Sequence, residues 1–241
     1  MRTYDRMAFT RWIWPPFALL LALTAAGCGA STAGFQPAAT STTGSSSHGN
    51  IVEFPLPNTA FAAQRITIGP DGNVWFTEAS VTGPTGKIGR ITPAGAITEF
   101  PLPRPMTYPV DITVGPDHAI WFTEPDKIGR ITPDGHITEF PLPPKSFAMH
   151  IVAGPDGNLW FTETTVNVIG RITPAGGVTE FPLSEANTFA SGIAIGQDGN
   201  LWFTEWTANN PATGKIGRIT PAGAITEFPL ATSSGLARSI T

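Results

Sequence analysis

A pattern of short apolar and aromatic runs, separated by polar turns, repeats four times along the chain. Each copy contains the run Trp-Phe-Thr-Glu, continues with Ile-Gly-Arg-Ile-Thr-Pro and closes with Thr-Glu-Phe-Pro-Leu. The runs are rich in β-branched and aromatic residues, Gly, Pro and Asp stand between them, and no stretch has helical periodicity. The tryptophans of the four copies are Trp75, Trp121, Trp160 and Trp202. The pattern therefore predicts an all-β fold.

The length of the repeat distinguishes between all-β architectures. Each copy holds four predicted strands in about 40 to 45 residues, which is typical of one blade of a β-propeller. Turns such as Asp71-Gly72-Asn73 suit the tight hairpins between strands, because Gly and Asn accept positive φ at little cost. A solenoid of parallel coils is the alternative, although its coils are normally shorter than this repeat. We predict a propeller of four-stranded blades over residues 51–241, with four complete blades.

The two ends of the repeat region do not match. Glu53–Leu56 is an isolated copy of the closing segment and predicts a leading strand. Ile240-Thr241 aligns with Ile66-Thr67, inside the first strand of a further blade. An open series of blades leaves apolar faces without a neighbour. We therefore expect a truncated six- or seven-bladed ring, and a monomer when the protein is full length.

The first 50 residues have a different character from the repeats. Arginines precede the apolar run Phe17–Leu23, and Ala-Ala-Gly comes directly before Cys28. This order fits a secretory signal peptide, and the run is short for a transmembrane helix. Its end resembles a bacterial lipobox, in which the cysteine becomes the lipidated first residue; the alternative is an ordinary cleaved signal beside an unrelated cysteine. We predict a signal peptide at 1–28 with lipidation of Cys28, a flexible Gly/Ser/Thr-rich tether at 29–50, and an exported protein anchored by its lipid to the membrane on the extracytoplasmic side.

Composition and charge narrow the function classes. Gly and Pro, at 26 and 24 residues, outnumber the charged residues, and the formal net charge is −4. Phosphate recognition needs clustered Lys and Arg, which the repeats lack, so nucleic acid is not an expected partner. The single cysteine excludes an intrachain disulfide and a cysteine-rich metal site.

The direction of the predicted strands brings one set of polar residues to a single face. If the first strand of each blade runs towards the Asp-Gly hairpin, the second strand runs back to the opposite face of the propeller and ends there at a glutamate. The residue before the inner-strand isoleucine reaches the same face and varies between blades, as expected where a site is grafted on a repeated scaffold. The glutamates are Glu78, Glu124, Glu163 and Glu205, and the variable positions are Arg65, Asp111, His150 and Gly192.

Two interpretations of the glutamates stay open. A residue repeated in every blade often holds the blade together, here by pairing with the arginine of Ile-Gly-Arg-Ile or with backbone N–H groups. Those arginines are Arg90, Arg130, Arg171 and Arg218. Alternatively, two neighbouring glutamates, Glu124 and Glu163, hold a hard cation such as Mg²⁺, which prefers carboxylate oxygens.

Other variable residues are candidate ligand contacts. A histidine such as His150 could act as a general base near neutral pH, or could simply be half-exposed. Arg65 and Asp111 are predicted to line the same face, where Asp111 could pair with Arg65 or Arg104 or could cap a loop. Trp206 lies outside the repeated pattern. We therefore predict that it forms an exposed aromatic surface for a ring-bearing ligand.

The run Gly-Pro-Asp-Gly-Asn-(Val/Leu)-Trp-Phe-Thr-Glu, followed by Ile-Gly-Arg-Ile-Thr-Pro, resembles the streptogramin B (virginiamycin B) lyase family over residues 51–241. The resemblance implies a seven-bladed propeller that linearises a small cyclic depsipeptide by Mg²⁺-dependent elimination at its ester bond. In that chemistry a histidine base removes a proton α to a carbonyl, and the metal stabilises the enolate-like charge. The implied cofactor is Mg²⁺, and the implied partner is a small cyclic peptide or another extracytoplasmic ligand.

The family's catalytic run, Glu-x-His-Gly-Ile, does not occur in this chain. The corresponding stretch of the third blade reads Met149-His150-Ile151, which puts His150 on the glycine position of that run. The family's glutamate after the tryptophan matches best at Glu124. Two function classes therefore stay open: a lyase of the streptogramin type, and a non-catalytic extracytoplasmic propeller that binds a peptide, a glycan or a cell-wall component.

Overall fold

The computed structural model describes residues 51–185, 188–207, 214–230 and 240. The strands lie in one compact unit, Glu53–Thr241, and no helix occurs among the described residues. In this described part, accordingly, no helix has the length and apolar character needed to cross a membrane.

A second unit comprises Met1–Val52, of which only the exposed Ile51 and Val52 are described. The predicted signal peptide, its Cys28 and the tether therefore lie outside the described residues.

Sixteen strands form four antiparallel sheets, and the strands of each sheet follow one another in chain order. Blade 1 comprises β1 (Phe61–Ile68), β2 (Val74–Ser80), β3 (Gly86–Ile91) and β4 (Ile97–Pro101). Blade 2 comprises β5 (Ile112–Val114), β6 (Ile120–Glu124), β7 (Lys127–Ile131) and β8 (Ile137–Pro141). Blade 3 comprises β9 (Ala148–Ala153), β10 (Leu159–Glu163), β11 (Val168–Ile172) and β12 (Val178–Pro182). Blade 4 comprises β13 (Thr188–Ile195), β14 (Leu201–Thr207), β15 (Gly214–Ile219) and β16 (Ile225–Pro229). The prediction of four complete four-stranded propeller blades is confirmed.

An aspartate fixes the hairpin between the first and second strands of each blade. Asp71 Oδ1 accepts hydrogen bonds from the indole N–H of Trp75 at 3.0 Å and from the backbone N–H of Asn73 at 3.2 Å. Gly72 stands between them with a φ of 73°, in the left-handed region that glycine tolerates. The Asp–Trp bond recurs at Asp117–Trp121, Asp156–Trp160 and Asp198–Trp202. The aspartate therefore closes the hairpin and also orients the tryptophan of the core.

The hydrophobic core lies between neighbouring blades. Trp75 and Ile88 of blade 1 pack with Ile112, Ile120 and Phe122 of blade 2, and all five are buried. Clusters of the same kind join blade 2 to blade 3 and blade 3 to blade 4. Each blade is therefore stabilised largely by the next one, as in other repeat proteins.

The phenylalanine of Glu-Phe-Pro-Leu connects an outer strand to the following blade. Phe100 stacks on Trp75 with ring centroids 5.5 Å apart. It also lies against Gly135 of blade 2, where an added Cβ would come within 2.4 Å of the phenyl ring. Gly135 has a φ of 96° as well, so any side chain at this position would be strained by both the backbone and the ring.

The leading segment Glu53–Leu56 contains no strand, because no described strand pairs with it. The prediction of a leading strand is therefore wrong. Its phenylalanine nevertheless has the position expected of the repeat. Phe54 lies against Gly95 of blade 1, where an added Cβ would be 2.2 Å from the ring, as Phe100 lies against Gly135. The leading segment thus keeps the side-chain packing of a closing segment, although it lacks the strand pairing of one.

The outer faces of the first and last described blades are open. Ile66 of β1 is 71% exposed, whereas its counterparts Ile112 and Ile151 are buried against a preceding blade. Phe228 of β16 is 40% exposed, whereas the equivalent Phe100 is partly covered by blade 2. Among the described residues no further blade covers either face, so the apolar surface there is accessible to solvent.

Candidate functional site

The residue before the inner-strand isoleucine occupies an equivalent place in each blade, and we call these four places the rim positions. At each one the backbone N–H donates a hydrogen bond to the buried threonine of Trp-Phe-Thr-Glu, at 3.1, 3.0, 3.2 and 2.9 Å from blade 1 to blade 4. The rim positions are Arg65, Asp111, His150 and Gly192, and the threonines are Thr77, Thr123, Thr162 and Thr204. Because the threonine binds the main chain, the fold fixes the backbone of the rim without fixing the side chain.

Two rim side chains meet across the boundary between blades 2 and 3. Asp111 Oδ2 lies 3.3 Å from His150 Nδ1 and accepts a hydrogen bond from the backbone N–H of Ile151 at 3.0 Å. The side chains of Asp111 and His150 are 17% and 20% exposed, so a ligand can reach the pair. Asp111 therefore pairs with His150 and with neither arginine proposed for it, since Arg65 is exposed on β1 and Arg104 lies 3.9 Å from Glu139.

A buried hydroxyl sets the spacing of this pair. Thr123 Oγ1 accepts the hydrogen bond from the backbone N–H of Asp111 at 3.0 Å and donates to the carbonyl oxygen of Met149 at 2.8 Å. Met149 precedes His150, and Thr123 is fully buried. One threonine thus links the main chain at both members of the Asp111–His150 pair.

Replacing Thr123 with valine is expected to lower the free energy of unfolding by about 1–3 kcal/mol, because the N–H of Asp111 and the carbonyl of Met149 lose a buried partner. Chemical denaturation followed by circular dichroism measures the change. Thr98→Val, on the exposed side of β4, is the matched control and should change stability by a few tenths of a kcal/mol. Equal effects of the two substitutions would contradict the role given to the Thr123 hydroxyl.

The repeated glutamates end the second strands but are shielded from solvent. Glu78, Glu124 and Glu163 are 0% exposed, and Glu205 is 1% exposed. Burial raises the pKa of all four carboxyls. For Glu163 and Glu205 burial, with a smaller contribution from the outer-strand carboxylates Glu180 and Glu227, raises the pKa to about 7. A large share of these two side chains is therefore neutral near pH 7.

The predicted pairing of these glutamates with arginine is wrong. The β2–β3 register places Glu78 opposite Lys87 and Trp75 opposite Arg90, so the arginine is three positions away from the glutamate. Arg90 lies over the ring of Trp75, 5.4 Å from its centroid, and within 4.0 Å of Asp71 at the hairpin. The arginines of the other blades, Arg130, Arg171 and Arg218, lie over their own tryptophans in the same way.

In blade 2 a lysine takes the place predicted for an arginine, whereas Lys87 and Lys215 pair with the outer-strand glutamates Glu99 and Glu227. Lys127 Nζ lies 3.6 Å from Glu124 Oε2 and 3.6 Å from Glu139 Oε2, between the second and fourth strands of blade 2. Blade 3 departs from this arrangement, because Val168 stands opposite Glu163. The signal was present in the sequence, since a lysine precedes Ile-Gly-Arg-Ile in three copies and a valine does in the third blade.

The predicted magnesium ligands, Glu124 and Glu163, do not make a site that fits the ion. Glu124 Oε2 accepts a hydrogen bond from the Thr107 hydroxyl at 2.6 Å, and Glu163 lies in a different blade, also without exposed surface. Mg²⁺ keeps several waters, for which a fully buried carboxylate leaves no room. In the described ranges, no group of three or more acidic, histidine or cysteine side chains is arranged to hold a metal.

The remaining predicted contacts lie on separate elements. Arg65 is exposed on β1. Trp206 is half-buried on β14 and stacks on Phe189 with ring centroids 4.5 Å apart, so only part of its surface is open to a ligand. The hydroxyls of Thr107 and Thr123 were missed by sequence reasoning, although the fourfold repetition of Thr in Trp-Phe-Thr-Glu indicated a structural role for the second.

Comparisons with known proteins agree with this architecture. The model of the virginiamycin B lyase family matches residues 37–241. The chain is similar to a selenomethionine-substituted virginiamycin B lyase from Staphylococcus aureus, with 46% identity and a TM-score of 0.72, over 79% of this chain and 63% of that one. It is also similar to a streptogramin B lyase, with 39% identity and a TM-score of 0.68, over 77% of this chain and 60% of that one.

A third similar structure is a catalytically inactive virginiamycin B lyase from Staphylococcus aureus with quinupristin, at 36% identity and a TM-score of 0.61, over 76% of this chain and 75% of that one. The chain spans less than two thirds of the length of the first two structures. No curated protein matches the chain at a significant level.

Proposed function

Because the chain belongs to the virginiamycin B lyase family, we propose that it is a lyase that opens the ester of a cyclic depsipeptide of the streptogramin B type by breaking a C–O bond. The observation that carries this proposal is the match over residues 37–241, which includes all four blades. The partly exposed Asp111–His150 pair supports it, because elimination requires a group that accepts a proton from carbon.

The reaction is an internal elimination. A proton leaves the carbon next to a carbonyl, its electron pair forms a carbon–carbon double bond, and the bond from the neighbouring carbon to the ester oxygen breaks with departure of the carboxylate. All atoms stay in one molecule, so the linear product has the mass of the substrate. Hydrolysis of the same ester would instead add one water.

The test is incubation of the purified protein with quinupristin, followed by chromatography and mass spectrometry. We expect a linear product of unchanged mass that contains a new double bond. A product heavier by one water, or no product with or without added Mg²⁺, would contradict the proposal. Parallel reactions with a chelator test the metal requirement that the resemblance implies.

A second candidate function is binding without catalysis. It is favoured by one observation, that the chain contains no Glu-x-His-Gly-Ile run. An extracytoplasmic propeller of this kind would hold a peptide, a glycan or a cell-wall component on the rim face. Calorimetric binding of quinupristin without turnover would favour this candidate over the lyase.

We also propose that the protein is exported and that a lipid on Cys28 holds it at the membrane. The basis is the order of basic, apolar and small residues before Cys28. Replacing Cys28 with serine is expected to move the protein from the membrane fraction to the soluble extracytoplasmic fraction. Unchanged fractionation of this variant in the producing cell would contradict lipid anchoring.

A further inference from the structure

The two open faces of the described blades are complementary to each other. We infer that they bind each other between two copies of this chain, so that blade 4 of each copy packs on blade 1 of the other and the two copies form one closed ring. The blade 1 face comprises Ile66, Val74, Phe76 and Ile91, and the blade 4 face comprises Trp202, Ile216, Phe228 and Leu230. This assembly differs from the monomer expected of a full-length ring, in which one chain would cover its own faces.

The boundaries inside the chain show what covers a face of each kind. Between blades 1 and 2, residues from three strands of one blade pack with residues from three strands of the other. Blade 1 contributes Trp75, Ile88, Phe100 and Leu102 with its closing segment, and blade 2 contributes Ile112, Ile120, Phe122 and Ile131. The blade 4 face repeats the first set residue for residue, and the blade 1 face repeats the second set with Val74 in place of one isoleucine. The two open faces are therefore the two halves of one further blade boundary.

Exposure distinguishes the open faces from their counterparts inside the chain. Ile66 is 71% exposed, whereas the equivalent Ile112 is 6% exposed. Leu230 is 36% exposed, whereas Leu183, at the boundary of blades 3 and 4, is 7% exposed. Apolar surface of this kind marks an interaction site on a soluble protein, because its burial is the dominant favourable term in protein association.

A hydrogen bond would accompany the apolar contacts. Arg90 Nη1 donates to the carbonyl oxygen of Pro133 in the following blade at 2.8 Å, and blade 3 makes the same bond to blade 4 at 3.1 Å. The equivalent arginine of blade 4 is Arg218, and the equivalent proline of blade 1 is the exposed Pro93. In the assembly, Arg218 of one copy donates to the carbonyl oxygen of Pro93 in the second copy, which fixes the register between the two faces.

The leading segment Glu53–Leu56 covers part of the blade 1 face in the single chain. Phe54 lies against Gly95, and this is the position that Phe228 of the second copy requires. Phe54 is 47% exposed and its segment pairs with no described strand, whereas Phe228 belongs to a four-stranded sheet. Phe228 also arrives together with the rest of the blade 4 face. The leading segment is therefore a competitor that the second copy displaces.

The kind of contact determines the size of the assembly. The two faces differ, so the contact between copies is heterologous, and such contacts give closed rings when the rotation closes and open filaments when it does not. Two copies of four blades contribute eight blades, and propellers of about four to eight blades are typical. Closure at two copies covers both faces of both chains and leaves no face to recruit a third.

The experiment measures the mass of the purified protein by sedimentation equilibrium, with Cys28→Ser so that no lipid contributes to association. We expect twice the mass of the chain, without larger species as the concentration rises. Ile66→Arg alters the blade 1 face and Phe228→Arg alters the blade 4 face. Each should raise the dissociation constant about 10³-fold, because a central interface residue accounts for about 30-fold and the ring contains each contact twice. Met106→Arg, at an exposed residue between β4 and β5, is the matched control and should leave the mass unchanged.

Two further measurements test which faces meet. An equal mixture of Ile66→Arg and Phe228→Arg keeps one intact pair of faces, so it should form a heterodimer that neither variant forms alone. This heterodimer should be weaker than the wild-type dimer, because it has one contact instead of two. Phe54→Ala should lower the dissociation constant of the otherwise unchanged protein, because it removes the side chain that competes for Gly95.

Several results would overturn the inference. A monomer at every concentration would show that the faces do not bind each other, and a mass that keeps rising with concentration would exclude a closed ring. A dimer that persists in either arginine variant would show contact between like faces. Weaker association of Phe54→Ala would place the leading segment in the interface. Circular dichroism identifies any variant that misfolds, and the mass of the unaltered faces together with the Phe54→Ala result then decides the inference.

Discussion

Replacing Trp121 with alanine is expected to lower the free energy of unfolding by about 3–5 kcal/mol. The side chain is 0% exposed and packs in the cluster that joins blades 2 and 3. Its ring stacks on Phe140 with centroids 5.5 Å apart, and its indole N–H donates to Asp117 at 2.8 Å. Alanine would leave a cavity between two blades and remove the bond that orders the hairpin.

Urea denaturation followed by far-ultraviolet circular dichroism measures this loss. Trp206→Ala is the matched control, because it removes the same side chain from a half-buried position where one face stacks on Phe189. The control should lose less stability than Trp121→Ala. A loss of equal size would mean that the boundary between blades 2 and 3 does not carry the stability that its burial indicates.

Replacing Glu163 with glutamine is expected to stabilise the protein above neutral pH. Burial raises the pKa of this carboxyl from 4.5 to about 7, so the folded state binds the proton more tightly than the unfolded state. Its contribution to stability is complete below about pH 4.5 and is lost as the pH rises through about 7. A shift of this size corresponds to roughly 3 kcal/mol at alkaline pH.

The measurement is the free energy of unfolding of wild type and variant between about pH 4 and about pH 8. Glu163→Gln should match wild type below about pH 4.5, where the carboxyl is protonated in both states, and exceed it by up to roughly 3 kcal/mol at about pH 8. Part of the wild-type pH dependence should remain, since the pKa of Glu205 is raised to about 7 as well. Glu53→Gln, at an exposed residue, should leave the pH profile unchanged; a similar change in both variants would refute the effect of burial.

The blades were predictable because the same sequence pattern occurs four times along the chain. Trp-Phe-Thr-Glu and the Asp-Gly turns define two strands and their hairpin, and repetition averages out local ambiguity. The strand predicted at Glu53–Leu56 was wrong for a physical reason, since a closing segment needs a neighbouring strand for its hydrogen bonds. The sequence of the segment shows that it could form a strand, but it does not show whether a partner strand lies beside it.

The site was less predictable than the fold. Asp111 and His150 are 39 residues apart in sequence, and their contact depends on how one blade packs against the next. The lysines that stand opposite three of the glutamates could have been found by counting the strand register from the hairpin, which places Lys87 opposite Glu78. Burial of the glutamates could not have been found that way, because it depends on side chains from several strands.

The threonine bond to the rim backbone has a consequence for evolution and engineering. A duplicated blade can change its rim residue by a single codon and keep the bond that shapes its inner strand, because Thr77 and Thr123 bind an N–H that every residue except proline possesses. New specificities can therefore arise by drift at one position in each blade. A combinatorial library at Arg65, Asp111 and His150 would sample recognition surfaces on a scaffold whose core clusters contain none of these three residues.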